Sequence, residues 1–206
     1  MTNEKNGLTL VCKSLKIAYK IIIKYRISSS ISNIMFIMCE MLFYCKEDDF
    51  MKIYTVSFFG HRYIENICEI ERKIEEIIRE LICGNEYADF LVGRDGEFDQ
   101  LVSSTVKRMK NEMGYSNNSL IWVMPYDKAE YENNRENFEK YYDEIEVCYE
   151  SSIAHPKSAI QIRNRRMIDR SDLVIFYVRH NSGGAYKTME YAIKIGKRII
   201  NLGEDI

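Results

Sequence analysis

Apolar positions fall into two regimes along the chain, with the change near residue 51. From Lys52 onward, short apolar runs alternate with amphipathic stretches in regular order. Ile53–Phe59, Ala88–Val92, Ser119–Met124, Leu173–Val178 and Lys197–Leu202 read as strands. Leu173–Val178 is almost wholly apolar, which a parallel strand covered on both faces requires. Between these runs, Ile67, Ile70, Ile74, Ile77 and Leu81 mark one stripe of a helix predicted over Ile64–Cys83, with Gly84 as its stop. Leu101, Val102, Val106, Met109 and Met113 follow at helical spacing and end at Gly114. A third helix opens at His155-Pro156 and carries Ile160, Arg163, Met167 and Ile168, and a fourth spans Ala185–Ile195.

Strands that alternate with helices imply an α/β chain. The expected form is Rossmann-like and doubly wound: a mostly parallel five-stranded sheet, in an order such as 3-2-1-4-5, with helices on both faces. Residues 127–155 break the rhythm with many acids and with Tyr131, Tyr141, Tyr142 and Tyr149, and read as a lid insertion. Such tyrosines either stack on a base or anchor the insertion to the core.

Glycines and charges cluster where these predicted strands end. The first strand delivers Gly60, His61 and Arg62, the second Gly93, Arg94, Asp95, Gly96, Glu97 and Asp99, and the fourth leads through Asn181-Ser182 to Gly183 and Gly184. Open α/β sheets place ligands at the carboxyl ends of their strands, where the order reverses. Strand, glycine loop and helix start together form an anion seat, because free amides and the helix dipole point the same way. A phosphate-bearing ligand is expected there, against the alternative of an ordinary strand-to-helix turn. His61 is open to catalysis, phosphate orientation or capping. Asp95, Glu97 and Asp99 suit ribose hydroxyls, and Arg163, flanked by apolar positions on its helix, must be paired or face a ligand.

The first 50 residues differ. Leu15–Ile27 interleaves Lys16, Lys20, Lys24 and Arg26 with apolar positions, and Ile31–Tyr44 is too short and interrupted for a membrane span. Lys46-Glu47-Asp48 can be encoded by a purine-rich, ribosome-binding-like sequence just before Met51. Residues 1–50 are therefore expected to be an over-extended gene start or a helical extension, and 51–206 the working domain. A hydrophobic content of 46% and a net charge of −2 fit a soluble protein without a nucleic-acid footprint. Six cysteines without CxxC pairs suggest neither a zinc site nor a disulfide framework, which favours a reducing cytoplasm. The GxGxxG and Walker patterns are absent, and no metal or resident cofactor is expected.

SFFGHR (Ser57–Arg62), VGRDGEFD (Val92–Asp99) and RNRRMIDRSDLVIFYV with GGAYKTMEYA resemble the SLOG superfamily. That Rossmann-like group includes the Smf/DprA and Lonely-guy proteins, and the GHR motif points to a GHR-containing branch. The resemblance implies nucleotide binding by Gly60, His61, Arg62, Gly93, Asp95, Gly96, Glu97, Asp99, Arg163, Gly183, Gly184, Thr188 and Glu190, with Gly183, Gly184 and Thr188 seating phosphate. Arg163, with Met167 and Asp172, is similar to the arginine of Lonely-guy phosphoribohydrolases, and Glu190 to their glutamate. If the chain is an enzyme, those two are its catalytic residues. The proline before the glycines is missing, Tyr186-Lys187 replaces a Gly-Thr pair, and the second loop is acidic. The expected function is therefore sensing or sequestering a nucleotide or an NAD-derived ligand of the ADP-ribose type, in a phage- or defence-related role, with no nucleic acid as partner. Base–ribose hydrolysis and an oligomeric scaffold are the alternatives, and relatives of the fold imply a homodimer.

Overall fold

The computed structural model describes residues 51–114 and 116–203, so the leader expected over 1–50 lies outside the described residues. Six strands form one sheet: β1 (Ile53–Gly60), β2 (Tyr87–Val92), β3 (Asn118–Met124), β4 (Glu144–Val147), β5 (Leu173–Tyr177) and β6 (Arg198–Asn201). Their order is β4-β3-β2-β1-β5-β6. Every pairing is parallel. The chain winds outward from β1 to β4, then returns to lay β5 beside β1, so the order reverses between these two strands. The loops that leave β1 and β5 therefore face one another.

Helices cover both faces because the strands alternate two apolar sets. Val56, Phe58, Phe90, Trp122 and Ile175 belong to one core with α1 (Ile67–Gly84) and α2 (Glu97–Met113). Phe59, Leu91, Ile121, Val174 and Phe176 pack on the other face against α6 (Pro156–Asp169) and α7 (Gly183–Lys194). Ser57, fully buried in β1, meets its polar requirement with Ser171 Oγ at 2.6 Å and the Met167 carbonyl at 3.3 Å. Asp172 fixes the β1–β5 register, since its carboxylate accepts the Thr55 amide and its own amide donates to the Thr55 carbonyl, both at 2.8 Å.

Two expectations need correction. The first helix begins at Ile67, not Ile64, because the amides of Ile64 and Glu65 donate to Glu97 Oε2 and Tyr177 Oη, each at 2.9 Å, and Asn66 turns left-handed at φ 57°. Its buried stripe is Ile70, Ile74, Ile78 and Ile82, while Ile67 lies exposed at the helix end. The sheet also has six strands rather than five. Residues 127–155 contain α3 (Ala129–Asn133), α4 (Arg135–Tyr141), the edge strand β4 and α5 (Tyr149–Ser152). Tyr131, Phe138 and Tyr142 pack around Trp122 with ring centroids 6.0, 4.9 and 5.4 Å away. Three of the four tyrosines are thus tied to the core through this aromatic group, Tyr141 through Tyr142 at 4.9 Å.

Gly60 ends β1 against Phe98, and a Cβ at this position would lie 2.4 Å from the Phe98 ring. Phe98 is fully buried and stacks on Tyr177 at 5.8 Å, so it has no room to retreat. Gly60→Ala is expected to lower stability by about 1–3 kcal/mol, read as a shift in the urea midpoint. Gly84→Ala, where an added Cβ meets nothing within 4 Å, should be neutral or slightly stabilising. Equal midpoints for the two variants would refute the packing argument.

Candidate functional site

A cleft of about 520 Å³ opens at the carboxyl edge of the sheet, where β1 and β5 adjoin. The β1 loop supplies Gly60, His61 and Arg62, and the β2 loop Gly93, Asp95, Gly96 and Asp99. One face of α6 adds Lys157, Ile160, Gln161, Arg163 and Asn164, and the start of α7 adds Gly183, Gly184 and Ala185. Ten of the expected residues therefore meet in one place. Sequence reading missed Lys157, Gln161 and Asn164, although their spacing from Arg163 on a helix was the available signal.

The floor is built on Arg163, only 3% exposed. Its Nη2 donates to Asp95 Oδ2 at 2.6 Å and its Nη1 to the Val123 carbonyl at 3.1 Å. Lys128 Nζ reaches the other Asp95 oxygen at 2.7 Å, and the Asp95 amide donates to Asp99 Oδ2 at 2.8 Å. A Cβ on Gly93 would sit 2.7 Å from Arg163 Nη1 and 2.8 Å from Asp99 Oδ2, so only glycine lets the two charges lie over this backbone. Burial alone would raise the Asp95 pKa, but Arg163 and Lys128 outweigh it and hold the carboxyl below its usual range. Asp99 keeps partial exposure as a residue, yet its carboxyl is lodged in this floor. Burial pushes it up to about 6, against the opposing pull of the Asp95 amide and Arg163.

His61 works on the opposite wall. Its Nε2 accepts the amides of Arg179 at 3.0 Å and His180 at 3.3 Å, and its own amide donates to the Tyr177 carbonyl at 3.1 Å. An imidazole that accepts at Nε2 carries its proton on Nδ1. Burial, with the neighbouring His180 ring stacked at 5.4 Å, lowers its pKa and keeps it neutral. His61 thus pins the loop between β5 and α7, which the Arg179–Glu65 ion pair also holds. Gly183 takes φ 89° at the start of α7, whose first residues, with backbone amides free of helix partners, line the cleft.

Three expected residues do not reach the cleft wall. Glu97 is used by the Ile64 amide. Thr188 is 1% exposed, donating to the Gly184 carbonyl at 2.8 Å and accepting from Asn164 at 3.2 Å, so its hydroxyl is committed to the helix pair. Glu190 is exposed on α7 and absent from the lining. The pair expected for hydrolysis is not assembled: Arg163 faces Asp95, and Glu190 lies elsewhere. No group of His, Cys, Asp and Glu able to hold a metal occurs among the described residues.

These features define a Rossmann-like α/β domain with a cleft at its switch point. Two solved structures share the fold. DNA processing protein A from Helicobacter pylori superposes with a TM-score of 0.53 at 17% identity, over 74% of this chain and 66% of that one; its structure describes a single-stranded DNA binding mode. DNA processing protein A from Streptococcus pneumoniae gives 0.53 at 18%, over 75% of this chain and 52% of that one. The chain thus spans between about half and two thirds of their lengths. No protein-family model and no curated protein sequence matches the chain. At this identity the likeness is one of fold, a Rossmann-like domain shared with both DNA processing proteins. It also overturns the expectation of a nucleotide or NAD-derived ligand in place of nucleic acid, because the two solved structures that share the fold are DNA processing proteins, one of them described for its single-stranded DNA binding mode. The expected exclusion of a nucleic-acid partner goes with it: a net charge near zero says nothing about where individual cations sit.

Asp99 supplies a pH test. Below about pH 4 its carboxyl is protonated both folded and unfolded and contributes nothing. Between there and its folded value of about 6, the unfolded chain ionises first, so stability falls as pH rises, and the penalty is complete above. Asp99→Asn keeps an oxygen for the Asp95 amide and should therefore stabilise the protein at about pH 8, with the gain vanishing near pH 4. Thermal unfolding at both pH values checks this; an equal effect at each would show that burial does not perturb the carboxyl.

Proposed function

We propose that this protein binds single-stranded DNA, with backbone phosphates seated in the cleft between the β1 loop and the amino end of α7. The observation that carries the reading is the placement of Arg62 from the β1 loop and Lys157 from α6, two exposed cations that line one cleft with no acidic partner among the described residues. The same cleft is lined by the glycine backbone of Gly183 and Gly184 at the positive end of a twelve-residue helix. A phosphodiester offers what such a mouth can take: a diffuse negative charge, acceptor oxygens and little bulk. Arg163, Asp95 and Asp99 act beneath it as a rigid floor, and His61 as the anchor of the α7 loop. The DNA processing proteins that share the fold support the choice of a strand over an isolated anion.

The Gly60-His61-Arg62 triplet at the mouth favours the GHR-containing branch of the superfamily. Free thiols at Cys68, Cys83 and Cys148, together with the lack of any described helix long and apolar enough to cross a membrane, favour a cytoplasmic setting.

Fluorescence anisotropy of the full chain with labelled oligo(dT), repeated over a salt series, tests the assignment. Arg62→Ala and Lys157→Ala should each weaken binding and flatten the slope of log K against log salt by about 0.7, one lost phosphate contact apiece. Arg72→Ala, which removes a cation paired with Glu76 on the surface of α1, should change neither. Slopes that stay at the wild-type value in both cleft variants would refute phosphate seating at these residues.

A further inference from the structure

Of the four tyrosines between residues 127 and 155, the aromatic group around Trp122 absorbs Tyr131, Tyr141 and Tyr142. Tyr149 is left 72% exposed. It begins α5, directly after the edge strand β4, and two bonds tie this turn to the end of β3: the Cys148 amide donates to the Met124 carbonyl at 2.9 Å, and Ser151 Oγ donates to the Pro125 carbonyl. Tyr126, 38% exposed, leaves β3 at the same place. Ile153, 71% exposed, follows α5 and leads into α6, whose Ile160, 37% exposed, already lines the cleft. In a parallel sheet all strands end on one edge, so Tyr126 and Tyr149 lie on the same rim as the cleft. Neighbouring strands are about 4.8 Å apart, which puts β4 roughly 14 Å from β1.

Exposed apolar groups gathered in one place mark an interaction surface, and here they stand at the carboxyl rim, with Ile160 in the wall of a cleft that also carries Arg62 and Lys157. The charge nearby does not oppose a polyanion: Glu150, next to Tyr149, is neutralised by Arg166 at 2.7 Å, and Glu130 by Arg94 at 3.1 Å. Glu132 is likewise paired with Arg135 at 2.8 Å and Asp143 with Lys110 at 2.8 Å, which leaves Asp127, Glu136 and Glu139 as exposed carboxylates outside any ion pair among the described residues, the last two on α4. We infer that Tyr126 and Tyr149 form a stacking platform for the bases of a single strand as it leaves the cleft over β3 and β4. This rests on the proposed reading of the cleft and extends it, from holding one phosphate to selecting an unpaired strand. Stacked bases in a duplex have no free faces to offer, whereas every unpaired base has one, so the platform admits single strands of any sequence.

The test uses the full chain and two labelled oligonucleotides of equal length, one oligo(dT) and one lacking bases. Tyr149→Ala and Tyr126→Ala should each weaken oligo(dT) binding by about five- to a hundredfold. Their salt slopes should stay at the wild-type value, because no phosphate contact is lost, and Tyr149→Phe should retain affinity. The abasic strand should bind wild type and the alanine variants equally. Oligo(dT) binding by wild type that the alanine variants leave unchanged overturns the platform alone. An absence of binding by wild type overturns the cleft reading and the platform together. A wild-type dimer that Tyr149→Ala dissociates, without a difference between the two oligonucleotides, would assign this surface to a second copy of the chain and overturn the proposal.

Discussion

The buried guanidinium of Arg163 is the constraint on which the cleft depends. A charge this far from water is tolerated only when opposed and hydrogen-bonded, since leaving it unpaired costs several kcal/mol. Asp95 and the Val123 carbonyl meet that demand, and they come from different places: the β2 loop and the third strand. Lys128, beyond β3, closes on the same carboxylate. One side chain from α6 therefore ties together the carboxyl ends of two neighbouring strands, β2 and β3, and the chain that leaves β3. Gly93 belongs to this arrangement, because any Cβ there would occupy the space that the guanidinium and Asp99 fill. Arg163 Nε remains without a partner among the described residues, so even this network is not fully satisfied.

Floor and rim divide the work. The floor is internally paired: Asp95 is opposed by two cations, and the Asp99 carboxylate, whose pKa burial raises to about 6, accepts the Asp95 amide. A paired floor leaves the rim to decide what binds. On one wall His61, neutral and accepting two amides, orients the loop that presents α7. On the facing wall Lys157 stands in the first turn of α6, after a Pro156 that suits a helix start and a His155 whose ring accepts the Lys157 amide. The cations that can meet a ligand are thus mounted on elements whose own hydrogen bonds are satisfied, which keeps them in place without occupying them.

Much of the fold was legible because period and punctuation agree in this sequence. Leu173–Val178 and Ala88–Val92 are apolar runs bounded by glycine or charge, and the reversal between β1 and β5 follows from their order. β4 was not legible: Glu144 and Glu146 alternate with Ile145 and Val147 on an edge strand of four residues, a pattern that also suits a solvated loop. At the site, glycines reported correctly where backbones approach something, but not what approaches. Gly60 makes room for Phe98, Gly93 for Arg163 and Asp99, and Gly96 for the backbone of Arg62. The acidic run after Gly93 was read only as facing a ligand; Asp95 and Asp99 do line the cleft but are also partners of Arg163 and of the Asp95 amide, and Glu97 holds the Ile64 amide instead. Pairing of this kind joins residues up to 68 positions apart and leaves no mark in local spacing. Net charge misled for a related reason, since it sums over the chain the cations that the fold gathers at one rim.

The most direct test of the account is to locate the strand on the protein. Full-length chain irradiated with bromouracil-substituted oligo(dT), then digested and sequenced by mass spectrometry, should yield cross-links on the carboxyl edge of the sheet. The expected peptides carry His61 to Tyr63, Tyr126, Tyr149 to Gln161 and His180 to Ala185. Cross-links confined to the solvent face of α1 or to the opposite edge of the sheet, around Ile53, Tyr87 and Arg198, would contradict it.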